Sequence, residues 1–404
     1  MLKEVQGGVC AAKGFTANGV HCGIRKNKTK RDLALIYSEK TASAAAVYTT
    51  NLVKGAPLTV TKNNITDGKA QAVICNSGNA NTCNANGIEI AEETCALLGK
   101  ELGISAKDVV VASTGVIGQP LDITPIAKGI PALVKGLGDH SDLACEGIMT
   151  TDTRPKEIAF EFNVGGKACR IGGIAKGSGM IHPNMATMLV FVTTDCAISS
   201  QMLAKALSAD VKDSFNMVSV DGDTSTNDMV SVLANGMAGN EEITAEGENY
   251  DAFCEALAAV TKYLCRMIAG DGEGATKLLE CKVCGGKDEA TAKVVAKSVI
   301  CSSLFKAAMF GADANWGRVL CAIGYAGVDV DVMKVGVSFR SAKGEIVVCE
   351  NGAGVPFSEE KAKEILLESE IEILITLGDG DGKATAWGCD LTYDYVKING
   401  DYRT

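Results

Sequence analysis

The sequence predicts a layered α/β (α+β) sandwich. Apolar runs of strand length alternate with stretches of helical spacing along the whole chain, and no long Pro- or Ser-rich linker interrupts them. With 47% hydrophobic and 22% charged residues among 404, and a mean hydropathy of +0.13, the chain can fill large cores. Glycine is abundant at 45 and aromatics make up only 5%, which points to close backbone packing and tight turns rather than stacking surfaces.

Val109 to Ala112 reads as a short strand that breaks at Ser113-Thr114-Gly115. Thr124-Pro125 then looks like the cap and first turn of a helix carrying Ile126, Ile130, Leu133 and Leu137. TMLVFV, from Thr187 to Val192, is too apolar and too short for a surface helix, so it reads as a strand covered on both faces. Phe253, Leu257, Val260, Leu264 and Met267 fall at helical spacing and stop at Gly270, and a further helix is expected over Ala290 to Phe310. The last third predicts strands at Val335 to Phe339 and Glu345 to Cys349. A helix capped by Ser358 runs to Ser369, and a strand follows at Ile371 to Thr376.

Several function classes are excluded early. No run reaches the 18 or so apolar residues of a spanning helix, and the start MLKEVQGGVC has no secretory h-region, so a cytoplasmic protein without membrane partners is expected. A net charge of -10 argues against nucleic acid. The 16 cysteines read as reduced, mostly buried thiols; Cys281 and Cys284 form the one CxxC, with no second pair and no nearby histidine, so no metal is expected. No GxSxG elbow occurs around Ser178 in KGSGM, and Gly382-Lys383 lacks phosphate-loop spacing. DGDTSTND from Asp221 fails as a calcium loop, because Thr226 stands at the turn glycine and Val232 at the bidentate glutamate.

What remains is a small-residue loop, Ile174 to Thr187, running into the buried strand. A glycine-rich backbone there would place a hydroxyl, Thr187, at the first residue of a rigid element. The segment KGSGMIHPNMATMLVFVTTD (176–195) resembles the signature of the ornithine acetyltransferase family, the self-cleaving glutamate N-acetyltransferases of arginine biosynthesis. ASTGVIG (112–118), IMTTDT (148–153), GDGEGATK (270–277), ADANWGR (312–318) and NGDYRT (399–404) extend the likeness over nearly the whole chain.

The resemblance implies a DmpA/ArgJ-like fold akin to the N-terminal-nucleophile hydrolases. It also implies cleavage between Ala186 and Thr187 into fragments 1–186 and 187–404, which stay intertwined, two of each, with a smaller C-terminal lobe over about 280–404. Thr187 would be the nucleophile and, through its new α-amine, the base; Thr114 and Gly115 would form the oxyanion hole. Thr150, Lys176, Thr187, Glu273, Asn399 and Thr404 would contact the substrates, N-acetylornithine and glutamate. No cofactor is implied, and use of acetyl-CoA as a co-substrate is left open.

A free α-amine has a pKa of about 7.7–8.0, so it can take a hydroxyl proton in a chain with three histidines, His21, His140 and His182. Lys176 is a reasonable partner for a carboxylate and Glu273 for an amine, and His182 is assigned to shaping the loop or assisting the cut. Two other readings stay open: an N-terminal-nucleophile amidohydrolase or aminopeptidase of the same fold, and an amino-acid-binding protein that never cleaves.

Overall fold

The computed structural model describes residues 2–182 and 188–400. Among these, the strands form two sheets in a mixed α/β arrangement, as the alternation of patterns predicts. The nine-stranded sheet runs, from one edge, Lys3–Val5, Lys156–Val164, Lys167–Lys176, Leu189–Thr194, Met229–Ala234, Leu33–Tyr48, Lys69–Asn79 and Val109–Val116, with Phe15–Val20 pairing onto Leu33–Tyr48. The seven-stranded sheet runs Ala353–Gly354, Gly344–Glu350, Gly336–Ser341, Glu370–Thr376, Leu278–Gly286, Gly382–Cys389 and Val218–Ser219.

The strand order of the first sheet is what positions the site. Leu189–Thr194 lies antiparallel to Lys167–Lys176 and parallel to Met229–Ala234, and the latter pairs with Leu33–Tyr48. Two strands that follow position 187 are thus enclosed between strands that precede it. All six residues of Leu189–Thr194 are buried. Their alternation divides them between two cores: Val190 and Val192 pack into one cluster, Leu189 and Phe191 into another. This accounts for the continuous apolar run, because neither face of the strand meets water.

The helix Glu248–Gly270 buries Phe253, Leu257, Val260, Leu264 and Ile268. These belong to the same cluster as Val190 of the first sheet and Ile373 of the second, so one core runs through both sheets. The expected helix over Ala290 to Phe310 is two helices, Glu289–Cys301 and Ser303–Phe310. Ser302 leaves the helical region at ψ 111 and its hydroxyl accepts from Phe305 N, so a capping residue interrupts a continuous apolar period. The helix after Pro120 is Ile123–Lys135, capped by Asp122 rather than Thr124, since the Asp122 carboxylate accepts the Thr124 amide. Ser358 caps Glu359–Leu366 as expected, with Glu359 and Glu360 in the first turn. No helix among the described residues is long and apolar enough to cross a membrane.

Candidate active site

Thr114 and Gly115 do not sit in a turn: the strand continues to Val116. Its pairing with Lys69–Asn79 shifts register at Gly78 and Asn79, and that irregularity is what the Ser113-Thr114-Gly115 pattern signals. Gly115 has φ +128°, and a Cβ there would lie 2.4 Å from the Gly78 carbonyl carbon, so only glycine lets the two strand ends approach. Thr114 is buried beside it.

Lys176 ends the strand Lys167–Lys176 and pairs with Leu189, two residues beyond position 187. Its ammonium is largely buried and makes no hydrogen bond or ion pair with a described residue, which leaves it available to an anion. Glu273 reaches across the loop that follows. Its carboxylate packs on the Gly179 backbone, where an added Cβ would meet it at 2.3 Å, and it accepts Asn399 Nδ2 at 2.7 Å. Asn399 is the last residue of the short helix Tyr393–Asn399.

These residues converge. A cavity of about 130 Å³ is lined by Thr114, Gly115, Thr150, Lys176, Glu273 and Asn399, together with Thr226 and Asn227. A wider cleft of about 680 Å³ shares Gly115, Thr150 and Glu273 with it. Ala186, Thr187 and Thr404 lie outside the described residues. Polar groups of opposite charge, Lys176 and Glu273, face one small enclosed space, a pattern suited to holding a zwitterion.

Several supporting residues carry no signal in the sequence patterns above. Asn227 is buried and donates to the carbonyls of Ala80 (2.6 Å) and Ser113 (2.9 Å), tying the loop before Met229 to the strand that carries Thr114. The segment dismissed as a calcium loop braces the other wall. Asp221 accepts the amides of Met180 (2.6 Å) and Ile181 (2.9 Å), and Thr224 Oγ donates to the His182 carbonyl at 2.8 Å.

His182 is 3.1 Å from Ser219 Oγ and 3.5 Å from Cys301 Sγ through Nδ1. Burial first, and then the Lys297 ammonium, lower its pKa to about 4 against a smaller opposing pull from Asp221, so it is neutral and only weakly basic at pH 7. Cys281 is buried and Cys284 exposed; three residues apart in one strand, they leave opposite faces.

The ArgJ family model matches residues 16–404. The chain is 50% identical over 405 residues to the arginine biosynthesis bifunctional protein ArgJ of Caldanaerobacter subterraneus subsp. tengcongensis, covering 100% of both. It is 47% identical over 405 residues to the protein of that name from Bacillus subtilis, covering 100% of this chain and 98% of that one. The crystal structure of arginine biosynthesis bifunctional protein argJ from Bacillus halodurans superposes with a TM-score of 0.50 at 46% identity. It covers 52% of this chain and 98% of its own. On this likeness over its full length, the chain belongs to the ArgJ family.

Proposed function

We propose that the protein is a glutamate N-acetyltransferase of arginine biosynthesis that moves the acetyl group of N-acetylornithine to glutamate, with Thr187 as the nucleophile. The bifunctional ArgJ relatives support the acetyl-transfer activity, including acetylation of an amino acid from a second donor. The observation that carries the site assignment is the convergence of Thr114, Gly115, Thr150, Lys176, Glu273 and Asn399 on one small pocket. Its wall strand Lys167–Lys176 pairs with the strand that opens two residues after Thr187.

In the precursor, Thr187 Oγ attacks the Ala186 carbonyl carbon. The peptide C–N bond breaks as the nitrogen takes up a proton, which frees the Thr187 α-amine and leaves an Ala186 ester on Oγ; water then hydrolyses that ester to the Ala186 carboxylate and restores the Thr187 hydroxyl. That amine accepts the hydroxyl proton in each later cycle, a task for which His182 is too weak a base. Thr187 Oγ then attacks the acetyl carbonyl of N-acetylornithine, ornithine leaves with a proton on its amine, and the glutamate amine takes the acetyl group from the enzyme. Lys176 binds the α-carboxylate common to both substrates, and Glu273, held by Asn399, binds the side-chain ammonium of N-acetylornithine. The Thr114 hydroxyl and Gly115 amide face the developing oxyanion.

The cut is supported by a simple proportion. The solved Bacillus halodurans chain is matched almost end to end yet covers about half of this one, close to the share lying beyond position 186. Ornithine release from N-acetylornithine, measured with and without glutamate, tests the transferase reading. Release is expected to depend on glutamate beyond the first turnover; steady release indifferent to glutamate would mean that water is the acceptor and the enzyme a hydrolase.

A further inference from the structure

Lys156 is one of the largest fully buried side chains among the described residues, in the company of phenylalanines, leucines and isoleucines. Its ammonium donates to Asp152 Oδ1 at 2.7 Å and to Asp271 Oδ2 at 2.5 Å, and all three side chains are buried to within 4%. None of the three lines the small pocket. Buried ions carry a desolvation cost that apolar side chains of similar volume avoid, so stability alone does not explain the cluster.

Its second partners do. Asp152 also accepts the amides of Thr150 (2.9 Å) and Gly177 (2.7 Å). Asp271 accepts the Thr153 amide at 3.1 Å and the Thr153 hydroxyl, and its backbone carbonyl accepts Ser178 Oγ at 2.7 Å. Ser178 in turn accepts the Glu273 amide through its carbonyl at 3.0 Å. The three segments tied to this one ammonium therefore carry Thr150, Lys176 and Glu273.

We infer that Lys156 is a positioning residue: by pairing with Asp152 and Asp271 it fixes the span between Lys176 and Glu273, and with it the length of amino acid the pocket accepts. This rests on the reading of the pocket as an amino-acid site. A second consequence concerns charge. Burial alone would raise Asp152, yet the ion pair with Lys156, the positive charge of Lys176 and the Gly177 amide hold it well below the usual carboxylate range, so Asp152 is an anion. Without Lys156, the charge of Asp152 is offset by that of Lys176 alone and weakens the pull of Lys176 on the substrate carboxylate.

The test is steady-state kinetics per active site on four variants of the full-length protein, with a thermal melt of each. Thr153→Val lies on the exposed rim and removes one tie to Asp271; it is expected to raise KM for N-acetylornithine about three- to tenfold with kcat within about twofold. Asp271→Asn is expected to do the same more strongly. Lys156→Met is expected to raise KM at least about tenfold, and adding Asp152→Asn to it is expected to recover most of that rise although the melt stays low.

A role confined to folding predicts lowered melts with unchanged KM in the single variants and a double variant no better than Lys156→Met; either result overturns the inference. Should Lys156→Met fail to fold, Thr153→Val and Asp271→Asn decide alone. Wild-type enzyme that transfers no acetyl group would instead overturn the pocket reading, and the inference would fall with it.

Discussion

At the scale of single residues, the pocket makes separable demands. Thr114 is buried next to a glycine that nothing else can replace, and its hydroxyl is assigned to the oxyanion. Thr114→Val keeps the shape and removes the hydroxyl, and is expected to lower kcat about 10²- to 10³-fold with little change in melting temperature. Single-turnover acetylation measured beside a thermal melt checks both halves. Asp228 makes a different prediction. It is fully buried next to Met229, which pairs with Leu189, and its Oδ2 has no hydrogen-bond partner among the described residues. Burial raises its pKa well above the usual carboxylate value, with Ser225 and Lys176 offsetting only part of the rise. A carboxyl whose folded pKa is raised supports the fold below its unfolded value of about 3.9 and progressively weakens it as pH climbs. Asp228→Asn is therefore expected to stabilise the protein by about 1–3 kcal/mol at pH 7, with the gain vanishing near pH 4; melts of both proteins across that range would show a pH-independent difference if the account is wrong. Residue types and motif likeness picked out six of the lining residues, Thr114, Gly115, Thr150, Lys176, Glu273 and Asn399. Asn227, Asp221 and the Lys156 cluster were not legible, because the contacts of Asp221 with Ile181, Lys156 with Asp271 and Asn227 with Ala80 span 40, 115 and 147 positions, which no local pattern encodes.

At the scale of elements, a strand enclosed on both sides announces itself by continuous apolarity. Phe191→Ala, at the centre of Leu189–Thr194, is expected to cost about 3–5 kcal/mol, since the side chain is 1% exposed and its neighbours belong to a packed sheet. Equilibrium unfolding in denaturant checks this; a loss below about 1 kcal/mol would contradict a strand closed on both faces. The long strand Leu33–Tyr48 and the pair Lys156–Val164 and Lys167–Lys176 were harder to read, because their small and polar residues blur the alternation. The break at Ser302 was hidden for the opposite reason: the apolar period runs through it undisturbed, and only the hydroxyl bond to Phe305 reveals a cap.

At the scale of the whole molecule, the charge is unevenly divided at the proposed cut. Residues 1–186 hold 20 Lys and Arg against 16 Asp and Glu, while residues 187–404 hold 19 against 33. Attraction between a basic and an acidic fragment would favour their staying together, but the strand order supplies a stronger hold. Leu189–Thr194 and Met229–Ala234 pair with each other and are flanked as a pair by strands from the first fragment, Lys167–Lys176 on one side and Leu33–Tyr48 on the other, and the Lys156–Asp271 pair crosses the same junction. Charge attraction is screened within about 3 Å at 1 M salt, whereas backbone pairing and apolar burial are not. The two fragments are expected to co-elute on size exclusion at 1 M salt, and their separation there would mean that charge, not the shared sheet, joins them. Intact mass spectrometry of the protein with and without N-acetylornithine tests the central claim most directly. The account predicts two masses, for residues 1–186 and 187–404, and one added acetyl group on the second that disappears when glutamate is supplied. A single full-length mass in active protein, or an acetyl group carried by residues 1–186, would contradict it.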